Sequence, residues 1–175
     1  MPYQTHQWRL SWSDAVVDKA HELGFDEIAI NSDDLSRVSC PGYKYASNDQ
    51  RLGFWLVFIA AMAQQESSMN EKLRYFERSL NKYSEGLLQL SVSDSKYHDG
   101  CERITEETIL VGEFNLDCGL HILKKQLDGI SSRGIAPGTL FPKSYFYWSV
   151  LSKDVTINRI SQFVKDHHHQ LTFCY

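Results

Sequence analysis

An uninterrupted apolar segment in the middle of the chain constrains the fold more than any other feature. Residues Phe54–Ala63 (FWLVFIAAMA) include no charged or amide side chain. The segment is too short to span a membrane, and a helix that is apolar on nearly every side has to be buried in protein. We therefore expect a central buried helix that begins near Asp49 and ends at about Glu66, with the rest of the chain packed around it.

The predicted buried helix ends in the polar sequence QQESS (64–68), which places a carboxyl group at the mouth of an apolar element. Removal from water disfavours the ionised form of a carboxyl group and raises its pKa. A carboxyl group that keeps its proton near neutral pH can serve as a general acid, as in the well-known case of glycoside hydrolysis. Glu66 is therefore the first candidate catalytic residue. The ordinary alternative is a helix-end carboxylate in a salt bridge or a capping contact.

Length and composition indicate one domain over residues 1–175. A chain of this length buries about 70% of its unfolded surface, and its 42% hydrophobic and 13% aromatic residues indicate an aromatic-rich core or groove. The net charge of −4 argues against nucleic acid as a partner, because phosphate binding requires a basic face. A sugar polymer is compatible with this charge, since sugars are bound by hydrogen bonds and ring stacking.

Neither a membrane span nor a secretory signal is predicted. No apolar run reaches the roughly 18 residues of a transmembrane helix. Residues Met1–His6 lack the basic and apolar regions of a cleaved signal peptide. The protein therefore stays in the cytoplasm, is trimmed, or leaves the cell by a route without a cleaved signal.

The cysteines Cys40, Cys101, Cys118 and Cys174 are widely spaced and include no CxxC pair of the kind that binds zinc. Four cysteines allow three disulfide pairings. Cys101 and Cys118 bracket one loop and are the preferred pair. Buried free thiols, as in a cytosolic protein, are the alternative.

Hydrophobic periodicity predicts a mainly helical fold with little strand. A capping box at Ser11–Asp14 and the apolar residues after it predict a first helix that ends at Gly24. A leucine stripe predicts an amphipathic helix over Asn115–Leu127, and a last helix is expected over Val155–Lys165. The remaining expectations are loops at Asn31–Asn48, Asp94–Thr108 and Gly129–Pro142, a loose helix or loop at Asn70–Leu80, a strand at Glu27–Ile30 and a short hairpin after Gly86.

Three short motifs follow one another in an order that resembles a known enzyme superfamily. They are QES (65–67), GLLQ (86–89) and NLDCG (115–119). The order resembles the soluble lytic transglycosylases and goose-type lysozymes, which have an E-S motif at the end of the catalytic helix, a G-L-M-Q or G-L-L-Q turn and an N-x-x-x-G helix. The stretches CPGY (40–43), RLGFW (51–55) and YWSVL (147–151) look like a compact bacterial subgroup. The resemblance spans about residues 38–151, so 1–37 would be an N-terminal helical extension and 152–175 a C-terminal helix and tail.

The resemblance implies a lysozyme-like domain that cleaves the β-1,4 bond between N-acetylmuramic acid and N-acetylglucosamine in peptidoglycan glycan strands. It implies no metal and no organic cofactor. Glu66 corresponds to the catalytic acid of the superfamily. The A-Y-N-x-G segment of many transglycosylases is replaced here by YFYW (145–148). The substrate-binding residues implied by the resemblance are Ser67, Ser84, Gly86, Leu88, Gln89 and Tyr147.

The reaction also requires stabilisation of an oxocarbenium-like transition state, and two mechanisms are open. In a lytic transglycosylase the N-acetyl and C6 hydroxyl groups of the substrate take part, and a 1,6-anhydro product forms. In a hydrolase a second carboxylate holds a water molecule at about 6.5–9.5 Å from the acid, or acts itself at about 5–5.5 Å. Glu77, just beyond the catalytic helix, is the first candidate, followed by Glu85 and Asp94. Each of these is otherwise an ordinary solvated acid.

Two further groupings give weaker signals. His167–His169 resembles a metal site, but adjacent histidines on a helix point in different directions and no Cys, Asp or Glu lies at ligand spacing. A solvated tail is therefore expected there. Cys101 and His98 are a local pair without any indication of the base–orienter geometry that activates a nucleophile.

The sequence thus predicts a peptidoglycan-cleaving muramidase with Glu66 as general acid and base. Action in the periplasm or cell wall without a signal peptide would require a secretion system or a phage route, as for an antibacterial effector or a lysin. An effector would have a cognate inhibitor (immunity) protein that plugs the cleft. The alternative is a glycan-binding module that has lost turnover; because such modules normally lack the acid, Glu66 favours the enzyme.

Overall fold

Helices and a single two-stranded hairpin form the structure, a computed structural model that describes residues 6–175. The mainly helical class predicted from the sequence is confirmed. Short 3-10 turns connect several of the elements. The helices are α1 (Leu10–Glu22), α2 (Ser32–Arg37), α3 (Asn48–Ser67), α4 (Val92–Ser95), α5 (Gly112–Asp128) and α6 (Asp154–Asp166), and the strands are β1 (Arg74–Glu77) and β2 (Lys82–Glu85).

Helix α3 is the central element, as the apolar segment predicts. Apart from the partly buried Leu56, every residue of Phe54–Ala63 is buried, and α1 and α6 pack against the helix. A capping box starts it: the Ser47 hydroxyl accepts from the Gln50 backbone amide, and the Gln50 side chain accepts from the Ser47 amide. Within residues 6–175, neither this helix nor any other has the combined length and apolar character that a bilayer crossing requires.

Helix α1 packs against both α3 and α5, but it does not begin with the predicted capping box. Its N-cap is Arg9, which makes no side-chain cap. Ser11 lies inside the first turn, and the Ser13 hydroxyl instead accepts a hydrogen bond from the Trp8 indole at 2.8 Å. The predicted end is correct, because Gly24 follows the helix with a left-handed φ of 73°.

Helices α5 and α6 occupy the predicted segments, and α5 begins earlier than the leucine stripe indicated. Its first residue, Gly112, packs so closely on Trp12 that a Cβ would lie 2.2 Å from the indole nitrogen. The Gly112 amide donates to the buried carboxylate of Glu71 at 2.9 Å. A negative charge at a helix N-terminus is stabilising, so this pairing fixes where α5 starts.

The structure contradicts the expected loop at Asn31–Asn48, because α2 forms within it. Asn31 caps this short helix by accepting from the Asp34 amide at 2.8 Å. Asp34 is buried, and its carboxylate accepts from the backbone amides of Leu140 and Phe141, far away in the chain. Sequence periodicity cannot show such long-range bonds, which hold a helix too short to be stable alone.

The strands also differ from the prediction. The hairpin precedes Gly86 instead of following it, and β1 occupies part of the segment expected as a loose helix or loop. The expected strand at Glu27–Ile30 does not form; a 3-10 turn covers Phe25–Glu27. Isolated hairpins are marginally stable, so packing against the rest of the molecule decides where they form.

Both cysteine pairs form disulfides. Cys101 and Cys118, the preferred pair, join the loop after α4 to the middle of α5. Cys40 and Cys174 join the turn before α3 to the C-terminal end of the chain. The alternative of buried free thiols therefore does not describe this structure.

Candidate active site

The C-terminal end of α3 opens into a cleft of about 480 Å³. The hairpin and the segment 145–149 supply most of the lining, and residues from the GLLQ turn and α4 complete it. The cleft brings together most of the side chains that the sequence singled out. The polar side chains that line it are Glu66, Glu77, Lys82, Ser84, Gln89, Ser91, Asp94, Tyr145, Tyr147 and Ser149.

Strand alternation explains how the hairpin supplies its share of the cleft. In the antiparallel register Tyr75 pairs with Ser84 and Glu77 pairs with Lys82. Because successive residues of a strand point to opposite faces, these four side chains share one face, and all four line the cleft. The intervening Phe76 belongs to the opposite face and is solvent-exposed.

The Glu66 carboxyl group is partly buried, and the pKa of Glu66 is raised to about 7. Burial is the main cause, and the negative charge of Glu77 raises the pKa further, while Lys153 opposes the shift. Among residues 6–175, no side chain or backbone group forms a hydrogen bond or ion pair with this carboxyl group. Near neutral pH it is therefore divided between its acid and base forms and is free to contact a ligand.

Of the three candidate second carboxylates, Glu77 is the one that is both in the cleft and not engaged in a salt bridge within residues 6–175. Ser84 donates a hydrogen bond from its hydroxyl to Glu77 Oε1 and so orients the carboxylate. Asp94 also lines the cleft, but it forms an ion pair with Lys82. Glu85 is buried outside the cleft and pairs with Arg74, with Nε and Oε1 2.6 Å apart. Glu77 is therefore kept as the first candidate for a second carboxylate, a role that stays a prediction.

Tyr147 forms part of the cleft wall, and its ring is held by neighbours on two sides. The ring meets Trp148 and His98 edge-on, at centroid distances of 4.9 and 5.6 Å. Burial raises the pKa of the Tyr147 hydroxyl. The hydroxyl accepts from the Ser91 amide at 3.0 Å, which leaves its own proton available for a ligand.

Tyr75 and Tyr145, which sequence reasoning did not select, are the exposed aromatic rings of the cleft, with 63% and 50% of their surfaces accessible. The YFYW cluster pointed to the region of Tyr145 without indicating which ring faces the solvent. Exposed aromatic rings are well suited to packing on sugar rings.

Gln89 lines the cleft from a strained position, with a φ of 49°. Its side-chain amide nitrogen donates to the carbonyl oxygens of Gly86 at 2.9 Å and Leu73 at 3.3 Å. These bonds close the GLLQ turn, so the nitrogen is used by the protein itself. A ligand would therefore meet the amide oxygen.

Ser67, Gly86 and Leu88 are buried and do not line the cleft, which corrects the expectation that they contact the substrate. The Ser67 hydroxyl donates to the Leu87 carbonyl at 2.9 Å. The Leu88 amide donates to the Asn115 side chain at 2.8 Å, and a Cβ on Gly86 would lie 2.3 Å from the same Asn115 amide group. The three residues fix the turn against α3 and α5, which explains their motif positions structurally.

The two weaker groupings form no site. In the part of the chain that the structure describes, residues 6–175, no three His, Cys, Asp or Glu side chains come together in a way that could hold a metal ion. The His167 ring stacks on Phe163 with centroids 4.3 Å apart. Cys101 is held in a disulfide and is not available as a nucleophile.

Comparison with known proteins gives structural matches alone. No family model and no curated protein matches the chain. Its fold is similar to that of solved structures of Bd0314 DslA, a Bdellovibrio protein. The wild-type form of DslA has a TM-score of 0.71 and 26% identity, over 94% of this chain and 91% of that chain.

Two further matches are DslA variants in which a glutamate is replaced by glutamine. One has a TM-score of 0.73 and 26% identity, and the other a TM-score of 0.69 and 25% identity. Both cover 94% of this chain and 91% of that chain. The shared fold thus extends over almost the whole length of both proteins.

Proposed function

We propose that the protein is a peptidoglycan muramidase that cleaves the β-1,4 bond between N-acetylmuramic acid and N-acetylglucosamine, with Glu66 as general acid and base. One observation carries the proposal: the Glu66 carboxyl group has no partner among residues 6–175 and faces a cleft with a pKa raised to about 7. A general acid works best when its pKa lies near the working pH.

In the proposed mechanism, protonated Glu66 gives its proton to the glycosidic oxygen as the bond to the anomeric carbon breaks. Positive charge develops on the sugar ring, and the carboxylate of Glu77, which lines the same cleft, stabilises it. Ionised Glu66 then takes a proton from the oxygen that attacks the anomeric carbon. Attack by the C6 hydroxyl of the same sugar gives a 1,6-anhydro product, and attack by a water molecule gives a reducing end.

The spacing of the two glutamates supports their joint assignment. The glutamates replaced in the two DslA variants lie eleven positions apart in that chain. Glu66 and Glu77 are also eleven positions apart. Substituting glutamine for glutamate removes the acid while keeping the shape, which is the usual way to test a catalytic carboxyl group. We infer that Glu66 and Glu77 correspond to this pair.

The two disulfides support action outside the reducing cytoplasm, since disulfides persist in oxidising compartments. We extend the proposal to delivery into the periplasm or cell wall, as an antibacterial effector or a lysin, with an inhibitor protein that plugs the cleft in the effector case. Expression with an added export signal is expected to lyse the host, and expression without one is expected to be tolerated. Equal tolerance of both forms would contradict this extension.

The test of the central proposal is digestion of purified sacculi by wild-type protein and by Glu66→Gln. The wild type is expected to release soluble muropeptides, and Glu66→Gln to release them about 10²- to 10⁴-fold more slowly. Glu106→Gln, on the exposed surface, is the matched control and is expected to retain full activity. Release by Glu66→Gln at the wild-type rate would refute the assignment.

Mass spectrometry of the products assigns the role of Glu77. If Glu77 positions a water molecule, Glu77→Gln loses reducing-end products. If the substrate's own C6 hydroxyl attacks, anhydro ends predominate and Glu77→Gln changes the rate but not the product. A wild-type protein that binds sacculi without releasing any product would instead be the glycan-binding module.

A further inference from the structure

A second depression lies next to the cleft and has a volume of about 750 Å³. It is lined by α2 and by parts of the segment 133–144. Ser144 lines this depression, and the next residue, Tyr145, lines the cleft. Because neighbouring Cα atoms are about 3.8 Å apart and Arg133 of the depression donates to the Tyr145 carbonyl oxygen, the two linings meet at this point.

Three cationic side chains line this depression, which we call the basic groove: Arg37, Arg133 and Lys143. Arg37 lies over the Phe141 ring and pairs with Asp154 at 3.0 Å. Arg133 donates to the Tyr145 carbonyl oxygen at 3.3 Å. Lys143 is exposed and forms no hydrogen bond or ion pair with another residue between 6 and 175. The groove therefore presents cationic groups with donors left for a ligand.

Two acidic residues, Asp33 and Asp34, line the same groove and offset part of its positive charge. Asp34 is buried, and its Oδ2 accepts from the backbone amides of Leu140 at 2.7 Å and Phe141 at 3.1 Å. Its Oδ1 lies 4.0 Å from Arg37 Nη1, so Arg37 is paired with acids, and Asp33 is the exposed acid. Arg133 and Lys143 are therefore the groove cations that form no ion pair within residues 6–175.

We propose that the basic groove binds the peptide stem of a peptidoglycan strand through the free carboxylates of the stem, an inference that rests on the proposed function. The stem is attached to the lactyl group of the muramic acid and is anionic at neutral pH. A muramic acid bound in the cleft has to place its stem somewhere outside it. A stem of four residues reaches up to about 13 Å, which is ample to cross from Tyr145 into the groove.

Guanidinium and ammonium groups at an exposed groove suit this ligand. Arg133 and Lys143 can each donate to a carboxylate, and exposed pairs of this kind contribute modestly and are weakened by salt. The protein is therefore expected to prefer glycan strands that still carry their stems. The preference is expected in KM, because the stem is bound equally in the ground state and in the transition state.

The test compares soluble glycan strands with intact stems and strands from which an amidase has removed the stems. The double variant Arg133→Gln/Lys143→Gln is expected to show about three- to tenfold lower kcat/KM on stem-bearing strands, with kcat retained, and an unchanged kcat/KM on stripped strands. Lys96→Gln/Lys165→Gln, at two other exposed lysines, is the charge-matched control and is expected to behave as wild type on both substrates.

Binding to Glu66→Gln protein separates this inference from the proposed function. Stem-bearing strands are expected to bind about three- to tenfold more tightly than stripped strands, and 200 mM added salt is expected to reduce the difference. If stem-dependent binding occurs but the wild type cleaves neither substrate, the proposed function fails and the groove assignment stands. If the double variant loses kcat/KM equally on both substrates, the groove binds sugars. If it loses kcat/KM on neither substrate, the groove does not bind the stem. Both results overturn the inference.

Discussion

The two ends of helix α3 differ in whether key polar side chains have hydrogen-bond partners within the protein. At the N-terminal end, Ser47 and Gln50 cap each other, and the buried Trp55 indole donates to the Phe25 carbonyl and the Tyr43 hydroxyl at 2.9 and 3.0 Å. At the C-terminal end, the Glu66 carboxyl group has no partner within residues 6–175. Polar groups that have hydrogen-bond partners within the protein stabilise the fold. A partly buried carboxyl group without a partner instead lowers the stability of the folded protein, which is a common cost of a functional site.

This contrast separates the residues of one helix into a part that holds the fold and a part that is available for chemistry. Substitutions in the first part are expected to lower stability and leave the chemistry of folded molecules unchanged. Substitution of Glu66 is expected to do the reverse. The three stability predictions below test this separation.

The largest expected effect is that of Trp55→Ala. Trp55 is fully buried, and removing its ring leaves a cavity and takes away a hydrogen-bond donor, so the free energy of unfolding is expected to fall by about 4 kcal/mol. Urea unfolding followed by circular dichroism measures the loss. Product release per folded molecule is expected to match the wild type. A loss below about 1 kcal/mol would show that the N-terminal end does not hold the fold as described.

Glu66→Gln is expected to stabilise the protein at neutral and alkaline pH. In the unfolded chain Glu66 has its ordinary pKa of 4.5, whereas in the folded protein its pKa is raised to about 7. Between these two pH values unfolding releases a proton, so the free energy of unfolding of the wild type falls as the pH rises. Once the pH is above 7, the total loss is about 3 kcal/mol. Glutamine cannot ionise and removes this loss.

Urea unfolding at pH 4 and pH 8 checks the Glu66 prediction. The variant and the wild type are expected to be alike at pH 4, and the variant more stable at pH 8. The control Glu106→Gln is expected to change the free energy of unfolding by less than about 0.5 kcal/mol at either pH. A destabilised Glu66→Gln protein at pH 8 would mean that the carboxylate has a structural partner after all.

The smallest expected effect is that of Ser47→Ala, which removes one half of the capping box of α3. The free energy of unfolding is expected to fall by about 1 kcal/mol. Ser47→Asp keeps an acceptor for the Gln50 amide and is expected to be as stable as the wild type. Thermal unfolding of the three proteins measures the difference, and equal loss in both variants would show that the cap is not the cause.

The environment of Glu66 could be predicted because it followed from one segment of the sequence, while its catalytic role stays a prediction. The apolar run before Glu66 indicates desolvation, and the structure shows the raised pKa that desolvation causes. For Ser67 and Leu88 the prediction failed, because a motif does not show which side of a turn faces a ligand. Both hold the GLLQ turn in place through bonds to Leu87 and Asn115, and the position of Asn115 depends on the packing of α5.

The fold prediction divides in the same way. Long amphipathic helices such as α5 and α6 carry their pattern over many residues, so periodicity locates them. Helix α2 and the hairpin are short, and each depends on distant groups. The backbone amides of Leu140 and Phe141 bond to Asp34 of α2, and the Asn115 side chain bonds to the Glu85 carbonyl oxygen of β2. A few residues cannot specify such elements without those contacts.

By itself the sequence determined a buried central helix, the helical class and the identity of the carboxyl group at the end of the helix, because apolar periodicity and desolvation are properties of neighbouring residues. The tertiary structure alone decided that Glu77 shares a cleft with Glu66, that Tyr75 and Tyr145 are its exposed rings and that Arg133 and Lys143 line one groove. These features depend on strand register and on contacts between distant segments, and folding brings such segments together only through the packing of the whole chain.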